Sequence, residues 1–116
     1  MPIYDLSKIA EIELIPGFLG KMVHTGNMTI AYWKVKAGSR LPEHAHFHEQ
    51  VTHLMEGRFE MQMEGVIYML EPGMVAVIPA NAKHAGVALT DCNLIDVFQP
   101  VREDYKALIA TTNEER

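Results

Sequence analysis

The sequence lacks the features that mark several classes of protein. Its 116 residues include one cysteine, Cys92, so an intramolecular disulfide is impossible. No apolar run approaches the ~20 residues of a transmembrane helix. The first residues, MPIYDLSKIAEIELIPG, carry acidic and polar side chains where a secretory signal needs an apolar segment. We therefore expect a cytoplasmic protein with no membrane partner.

Positive charge is also scarce. Ten lysines and arginines stand against fifteen acidic residues, and the formal net charge is −5. Because nucleic-acid binding depends on neutralising phosphates, this balance argues against a nucleic-acid partner. The chain shows no linker, repeat or low-complexity segment, and its length suits one domain spanning residues 1–116.

Short apolar stretches between glycine, proline and asparagine turns fill the chain up to Pro100. In FEMQME, residues 59–64, apolar and polar side chains alternate with the period of a half-buried strand. Gly57, Gly65 and Gly73 recur every eight residues, a spacing typical of sandwiches and barrels. After Pro100, REDYKALIA suits one short helix. The pattern predicts an all-β barrel or jelly roll of eight or more strands with a short C-terminal helix.

Half of the six histidines lie in PEHAHFHEQ, where His44, His46 and His48 alternate and Gln50 follows in the same rhythm. Alternate residues of a strand share a face, so His44, His46 and Gln50 can all point into a barrel. A single metal ion seldom takes four side chains from one stretch, so we expect a local kink to turn His48 away. His84 in IPANAKHAG is the candidate fourth ligand, and imidazole suits several transition metals. The alternative is a set of exposed polar histidines.

The same stretch resembles the first cupin motif. Gly38 is followed by His44, His46, Gln50 in place of the usual Glu, and Gly57. A second run, in which Gly73, Pro79 and His84 are spaced by five and four residues, resembles the second cupin motif, with Asn81 and Ala88 as departures from it. The resemblance implies a cupin-type jelly-roll barrel holding one divalent transition metal (Zn, Ni, Fe, Mn or Co). The implied ligands are His44, His46, Gln50 and His84.

This ligand set carries no charge. Three imidazoles and an amide leave a divalent ion its full +2 charge, so it should act as a strong Lewis acid and attract an anionic substrate. It also differs from the two-histidine, one-carboxylate site of iron oxygenases. The set therefore favours Lewis-acid chemistry on a carboxylate or enolate over oxygen chemistry.

A second informative stretch is NLIDVFQPVRED, residues 93–104. Leu94, Asp96 and Phe98 share one strand face, so an inward Leu94 carries Asp96 inward too. A buried carboxylate needs a cation, a metal or a catalytic task. The simplest alternative is a structural ion pair between Asp96 and Arg102 or Lys34. Phe98 is either core or a substrate-stacking wall, and Arg102 can fold back over the barrel mouth.

Asp96, Phe98 and Arg102 beside a three-histidine, one-glutamine site resemble the small uronate-linearising cupins of pectin degradation. These enzymes open the ring of 4,5-unsaturated monouronates from pectin and alginate to an open-chain keto sugar acid. The resemblance implies a metal-dependent lyase or isomerase, a homodimer, with Asp96 and Arg102 catalytic and with Phe98 and Arg102 binding a small anionic sugar acid. Two alternatives remain open: an Fe(II)-dependent dioxygenase of a small dicarbonyl and a non-catalytic small-ligand-binding cupin.

Overall fold

The computed structural model describes residues 2–109, which form ten strands, a 3-10 turn at Leu6–Lys8 and one α-helix. The first five strands are β1 (Ile12–Ile15), β2 (Phe18–His24), β3 (Thr29–Val35), β4 (Arg40–His44) and β5 (Glu49–Glu56). The others are β6 (Phe59–Met63), β7 (Val66–Leu70), β8 (Val75–Ile78), β9 (His84–Ala88) and β10 (Cys92–Gln99), followed by helix α1 (Glu103–Ile109).

The strands form two antiparallel sheets. The larger sheet has six strands in the order β1-β2-β3-β10-β5-β8, and the smaller has four in the order β4-β9-β6-β7. The apolar core contains residues from both sheets, including Trp33 of β3 and Phe59 of β6. This is the predicted all-β jelly roll with a short C-terminal helix. None of the helices within residues 2–109 is long and apolar enough to cross a membrane.

Burial follows the period of two along the strands. In β3 every second side chain is buried, from Thr29 through Ala31 and Trp33 to Val35. In β2 the interior positions include Gly20, and a Cβ atom added there would lie 2.5 Å from the Trp33 ring. The large indole is therefore accommodated because its cross-strand neighbour has no side chain.

Strand register places the residues that matter for function. β10 lies between β3 and β5, so Asp96 pairs with Ala31 on one side and with Thr52 on the other. Phe98, two residues further on the same face, pairs with Gln50. The interior of the larger sheet thus brings polar side chains of β5 and β10 together within an apolar core.

Candidate metal centre

Three histidines from two neighbouring strands and a loop meet at one end of the barrel. His44 ends β4, His84 begins β9, and the two residues are directly paired across the smaller sheet. His46 lies in the segment between β4 and β5. One ring nitrogen from each histidine lies within 4.8 Å of the others, and His84 is 1% exposed. These three residues could hold a metal ion.

Backbone carbonyls orient all three rings. Because a carbonyl oxygen only accepts, each Nδ1 that faces one must donate its hydrogen, which leaves the lone pair on Nε2. The three bonds are His44 Nδ1 to Pro42 O at 2.8 Å, His46 Nδ1 to His48 O at 3.1 Å, and His84 Nδ1 to Ala82 O at 2.9 Å. Each ring therefore keeps the nitrogen that a metal ion would use free of its own proton.

The environment of His84 suits a ligand better than a core histidine. Its Nε2 atom is buried and has no hydrogen-bond partner among residues 2–109, an arrangement that costs free energy unless another group satisfies the lone pair. Burial lowers the pKa of His84 to about 4 and also lowers the pKa of His46. Both rings are therefore neutral at pH 7, as a metal ligand must be.

Gln50, the fourth predicted ligand, lies beside the histidine cluster. Its side chain is 5% exposed, and its Oε1 atom lies 3.0 Å from His46 Nε2. Both atoms present lone pairs when His46 is neutral, so their closeness is unfavourable unless a cation lies between them. Gln50 thus offers an oxygen donor beside the three histidine nitrogens, and donors of these kinds fit a divalent transition metal.

His48 does not join this group. The backbone bends at residues 47 and 48, in agreement with the expected kink. The ring of His48 is buried and stacks on Phe47, with centroids 4.1 Å apart and an angle of 27° between the planes. His48 is not among the histidines whose ring nitrogens lie within 4.8 Å of one another.

Asp96 faces the internal cavity that His44, Gln50 and His84 also line. Thr52 donates its hydroxyl hydrogen to Asp96 Oδ1 at 2.7 Å, and Trp33 donates Nε1–H to Oδ2 at 3.0 Å. Burial raises the pKa of Asp96 to about 6, although these hydrogen bonds oppose the shift. Within residues 2–109 the carboxylate forms no ion pair with Arg102 or Lys34, so the expected structural pair is absent there.

Arg102 lies at the same cavity and is 8% exposed. Its backbone N–H donates to Thr29 Oγ1 at 2.9 Å. Its guanidinium donates through Nε and Nη2 to both oxygens of Asp104, at 3.0 and 2.8 Å, and lies 3.8 Å above the Tyr105 ring. This clamp leaves three of the five guanidinium N–H groups outside the Asp104 pair.

Phe98 is both core and cavity wall. It is 2% exposed, its ring centroid lies 5.8 Å from that of His46, and the Arg102 guanidinium lies 4.7 Å from its ring. The two interpretations of Phe98 are therefore compatible.

The sequence interpretation missed four residues that support this site: Trp33, Thr52, Asp104 and Tyr105. Thr52 was the easiest to find, because it lies two residues after Gln50 and therefore on the same strand face. Asp104 follows Arg102 closely enough to pair with it. No local signal identifies Trp33, whose bond to Asp96 joins residues 63 positions apart.

The family comparison agrees with this geometry, in which two strand ends and the segment after β4 each supply a histidine within a jelly roll. Residues 31–98 match the cupin domain family. The chain belongs to the cupin family. A comparison with curated proteins finds no match.

Solved structures agree with this assignment to the cupins. KdgF from Halomonas sp. is 31% identical, with a TM-score of 0.81, over 85% of this chain and 93% of that one. An RmlC-like cupin from Shewanella frigidimarina is 29% identical, also with a TM-score of 0.81, over 85% and 90% of the two chains. The resemblance to the small uronate-linearising cupins is confirmed at the level of the family.

More distant cupins share the fold alone. A Bacillus subtilis oxalate decarboxylase, studied for its Mn(II) centres, is 17% identical with a TM-score of 0.75. The match covers 84% of this cupin but 29% of the decarboxylase chain.

Proposed function

We propose that this cupin is a metal-dependent enzyme that opens the ring of 4,5-unsaturated monouronates to give the open-chain keto sugar acid. The observation that carries the proposal is a single cavity lined by His44 and His84 of the histidine cluster, by a carboxylate with a raised pKa and by a buried guanidinium. The 31% identity to KdgF across most of both chains supports the same substrate class.

His44, His46, Gln50 and His84 would hold the divalent ion. When bound, it would supply Lewis-acid stabilisation for negative charge on a substrate oxygen. The described Nδ1–H bonds keep the histidine rings oriented for that task before substrate arrives.

Arg102 would bind the substrate carboxylate. Asp104 occupies the Nε edge of the guanidinium, and Tyr105 packs beneath it, so the cation is held in place before binding. Tyr105 also forms a hydrogen bond with the guanidinium, and the N–H groups outside the Asp104 pair would donate charge-assisted hydrogen bonds to the substrate carboxylate. Phe98 excludes water from the same region because its ring forms part of the cavity wall.

Asp96 would act as the general base. With a pKa near 6 it is mostly ionised at pH 7 yet basic enough to accept a proton. It would remove the proton of the anomeric hydroxyl. As the C1 carbonyl forms, the bond from C1 to the ring oxygen breaks, and its electron pair passes to that oxygen. The enolate then takes a proton at C4, which Asp96 can return, so the reaction is an isomerisation that needs no further reactant.

The test combines metal analysis with a product assay. The protein is freed of metal with a chelator, reloaded with one divalent ion at a time, and incubated with an unsaturated monouronate under nitrogen while NMR follows the loss of the C4 vinyl proton. We expect turnover in the loaded protein without oxygen, and none in the chelated protein or in His84→Ala. A fully loaded protein that leaves unsaturated uronates unchanged would refute the proposal, and oxygen-dependent turnover of a dicarbonyl would identify the dioxygenase alternative.

A further inference from the structure

A glutamine ligand has an ambiguity that a histidine ligand does not. Its terminal amide has an oxygen, which can bind a cation, and an NH₂ group of nearly the same size, which cannot. Rotation by 180° about the last side-chain bond exchanges the two. In Gln50 one end of the amide faces His46 at 3.0 Å and the other faces Thr52 at 2.9 Å. A contact within the protein must therefore fix which end of the Gln50 amide faces the histidines.

The direction of the hydrogen bonds made by Thr52 fixes the orientation of the Gln50 amide. The hydroxyl of Thr52 has one hydrogen, and it is donated to Asp96 Oδ1 at 2.7 Å. An ionised carboxylate only accepts, so this direction cannot reverse. The Thr52 oxygen therefore offers Gln50 only lone pairs, and the group of Gln50 that faces it must be the NH₂. The amide oxygen consequently faces His46.

The far end of this chain of hydrogen bonds is fixed as well. Trp33 Nε1–H is only a donor, and it is directed at the second oxygen of Asp96 at 3.0 Å. With one oxygen satisfied by an indole, the other is left to accept from Thr52. The order is thus set from Trp33 through Asp96 and Thr52 to Gln50, with no member free to turn around.

The backbone keeps these groups in contact. Gln50 and Thr52 occupy alternate positions of β5 and are 5% and 2% exposed, while Thr52 is the direct partner of Asp96 in the β5–β10 register. Threonine is branched at Cβ, so few side-chain rotamers are available to it. Water has little access to replace the hydroxyl if it is removed.

We propose that Thr52 is a positioning residue that holds the Gln50 amide with its oxygen toward the three histidines. The inference rests on the proposed metal site. A variant without the hydroxyl removes the acceptor that lies 2.9 Å from the amide NH₂. Asp96 then remains as the group that a Gln50 hydrogen bond reaches, and the amide orientation is held less firmly. Loss of such an outer hydrogen-bond partner typically weakens metal affinity by about 10- to 100-fold.

The experiment measures metal affinity rather than activity. Cobalt(II) dissociation constants are determined by competition with a chelating dye for the wild type, Thr52→Ser and Thr52→Val, and thermal melts of the metal-free proteins verify folding. We expect Thr52→Ser to bind within about threefold of the wild type and Thr52→Val to bind about 10- to 100-fold more weakly. Thr52→Ala replaces Thr52→Val if the valine variant fails to fold.

The same substitution in a Gln50→Glu protein distinguishes loss of the amide orientation from general disruption of the metal site. In Gln50→Glu both ends of the side chain are oxygens, so no orientation needs to be enforced. There, Thr52→Val should cause no loss of affinity beyond that of Gln50→Glu alone. Equal losses in the two backgrounds, or a Thr52→Val protein that binds cobalt as well as the wild type does, would overturn the role of Thr52. A wild type that binds no divalent ion would instead refute the metal site, and this inference with it.

Discussion

At the scale of single residues, Asp96 shows how a buried carboxylate can be stabilised without being neutralised. Its two oxygens accept from neutral donors, Thr52 and Trp33, instead of from a cation. Neutral hydrogen bonds offset part of the desolvation cost but leave the charge available. An Asp96–Arg102 ion pair would have lowered the basicity of the carboxylate, whereas here Arg102 is paired with Asp104.

The catalytic role of Asp96 is tested by Asp96→Asn. The amide keeps the shape of the side chain but cannot accept a proton, so kcat should fall by about two to four powers of ten. The assay uses saturating metal, with metal content measured on the same sample, because Asn at position 96 can also disturb the hydrogen bond of Thr52. Near-normal kcat in a loaded Asp96→Asn protein would exclude Asp96 as the base.

The same residue should give the metal-free protein an unusual dependence on pH. The pKa of Asp96 in the fold is about 6, above its value of 3.8 in the unfolded chain. The folded state therefore binds the extra proton between these values, and the contribution of Asp96 to stability is present below pH 3.8 and lost as pH rises through 6. His84 acts oppositely, because its folded pKa of about 4 makes stability fall as pH drops below 6.5.

Urea titrations of the metal-free wild type and the metal-free Asp96→Asn variant at pH 4, 5, 6 and 7 distinguish the contribution of Asp96 to stability from that of His84. Relative to wild type, Asp96→Asn should gain stability steadily from pH 4 to 6, by at most about 3 kcal/mol. His84 contributes to both proteins and cancels in the difference. A difference that does not change with pH would show that the pKa of Asp96 is not raised in the fold.

At the scale of structural elements, the contact between β2 and β3 supports the site from behind. Gly20 of β2 leaves the space that the Trp33 ring occupies, and Trp33 in turn donates to Asp96. A Cβ atom at position 20 would lie 2.5 Å from the ring, so the indole must move. A glycine on one strand therefore affects a catalytic candidate two strands away.

Gly20→Ala should accordingly reduce both stability and rate. Overpacking of a core typically costs about 1–3 kcal/mol, and displacement of the indole removes a donor from Asp96, which raises the pKa of that carboxylate further. The measurements are the urea midpoint and the pH profile of kcat/KM, whose acid limb should move to higher pH. Gly26→Ala is the matched control, since an added Cβ there meets nothing within 4 Å. Equal behaviour of the two variants would contradict this coupling.

The elements also explain how much of the molecule could be predicted from the sequence. The period of two reveals which residues of one strand share a face, so Gln50 and Asp96 were both expected inside the barrel. Motif spacing identified His84 as the distant partner of His44. Thr52 shares a strand face with Gln50 and could be expected inside the barrel. Its pairing with Asp96, and that of Trp33, could not be predicted, because both depend on β3 and β5 flanking β10, and register between distant strands leaves no local trace. The Asp104 clamp depends on a side-chain geometry that composition does not specify.

At the scale of the whole molecule, the outer face of the six-stranded sheet carries one apolar row among polar positions such as Lys21 and Lys34. Paired positions on β2, β3, β10, β5 and β8 form one row of five aliphatic side chains: Val23, Ile30, Val97, Val51 and Val77. With strands about 4.8 Å apart, the row is about 20 Å long. Contiguous apolar patches on a protein surface are typical of interaction sites when they are large and rimmed by polar residues.

We propose that the expected homodimer forms through this row, with the same face of a second copy, as a two-fold interface requires. Val77→Glu places a charge at the edge of the row and should shift the protein to monomers in sedimentation-velocity runs at about 50 µM, because an unpaired carboxylate is costly to bury in an apolar interface. Ile67→Glu is the matched control: Ile67 is 61% exposed and Val77 55%, but Ile67 lies on β7 of the other sheet. A wild type that is monomeric, or a Val77→Glu protein that remains dimeric, would contradict the interface. Loss of the dimer in Ile67→Glu alone would instead place it on the smaller sheet.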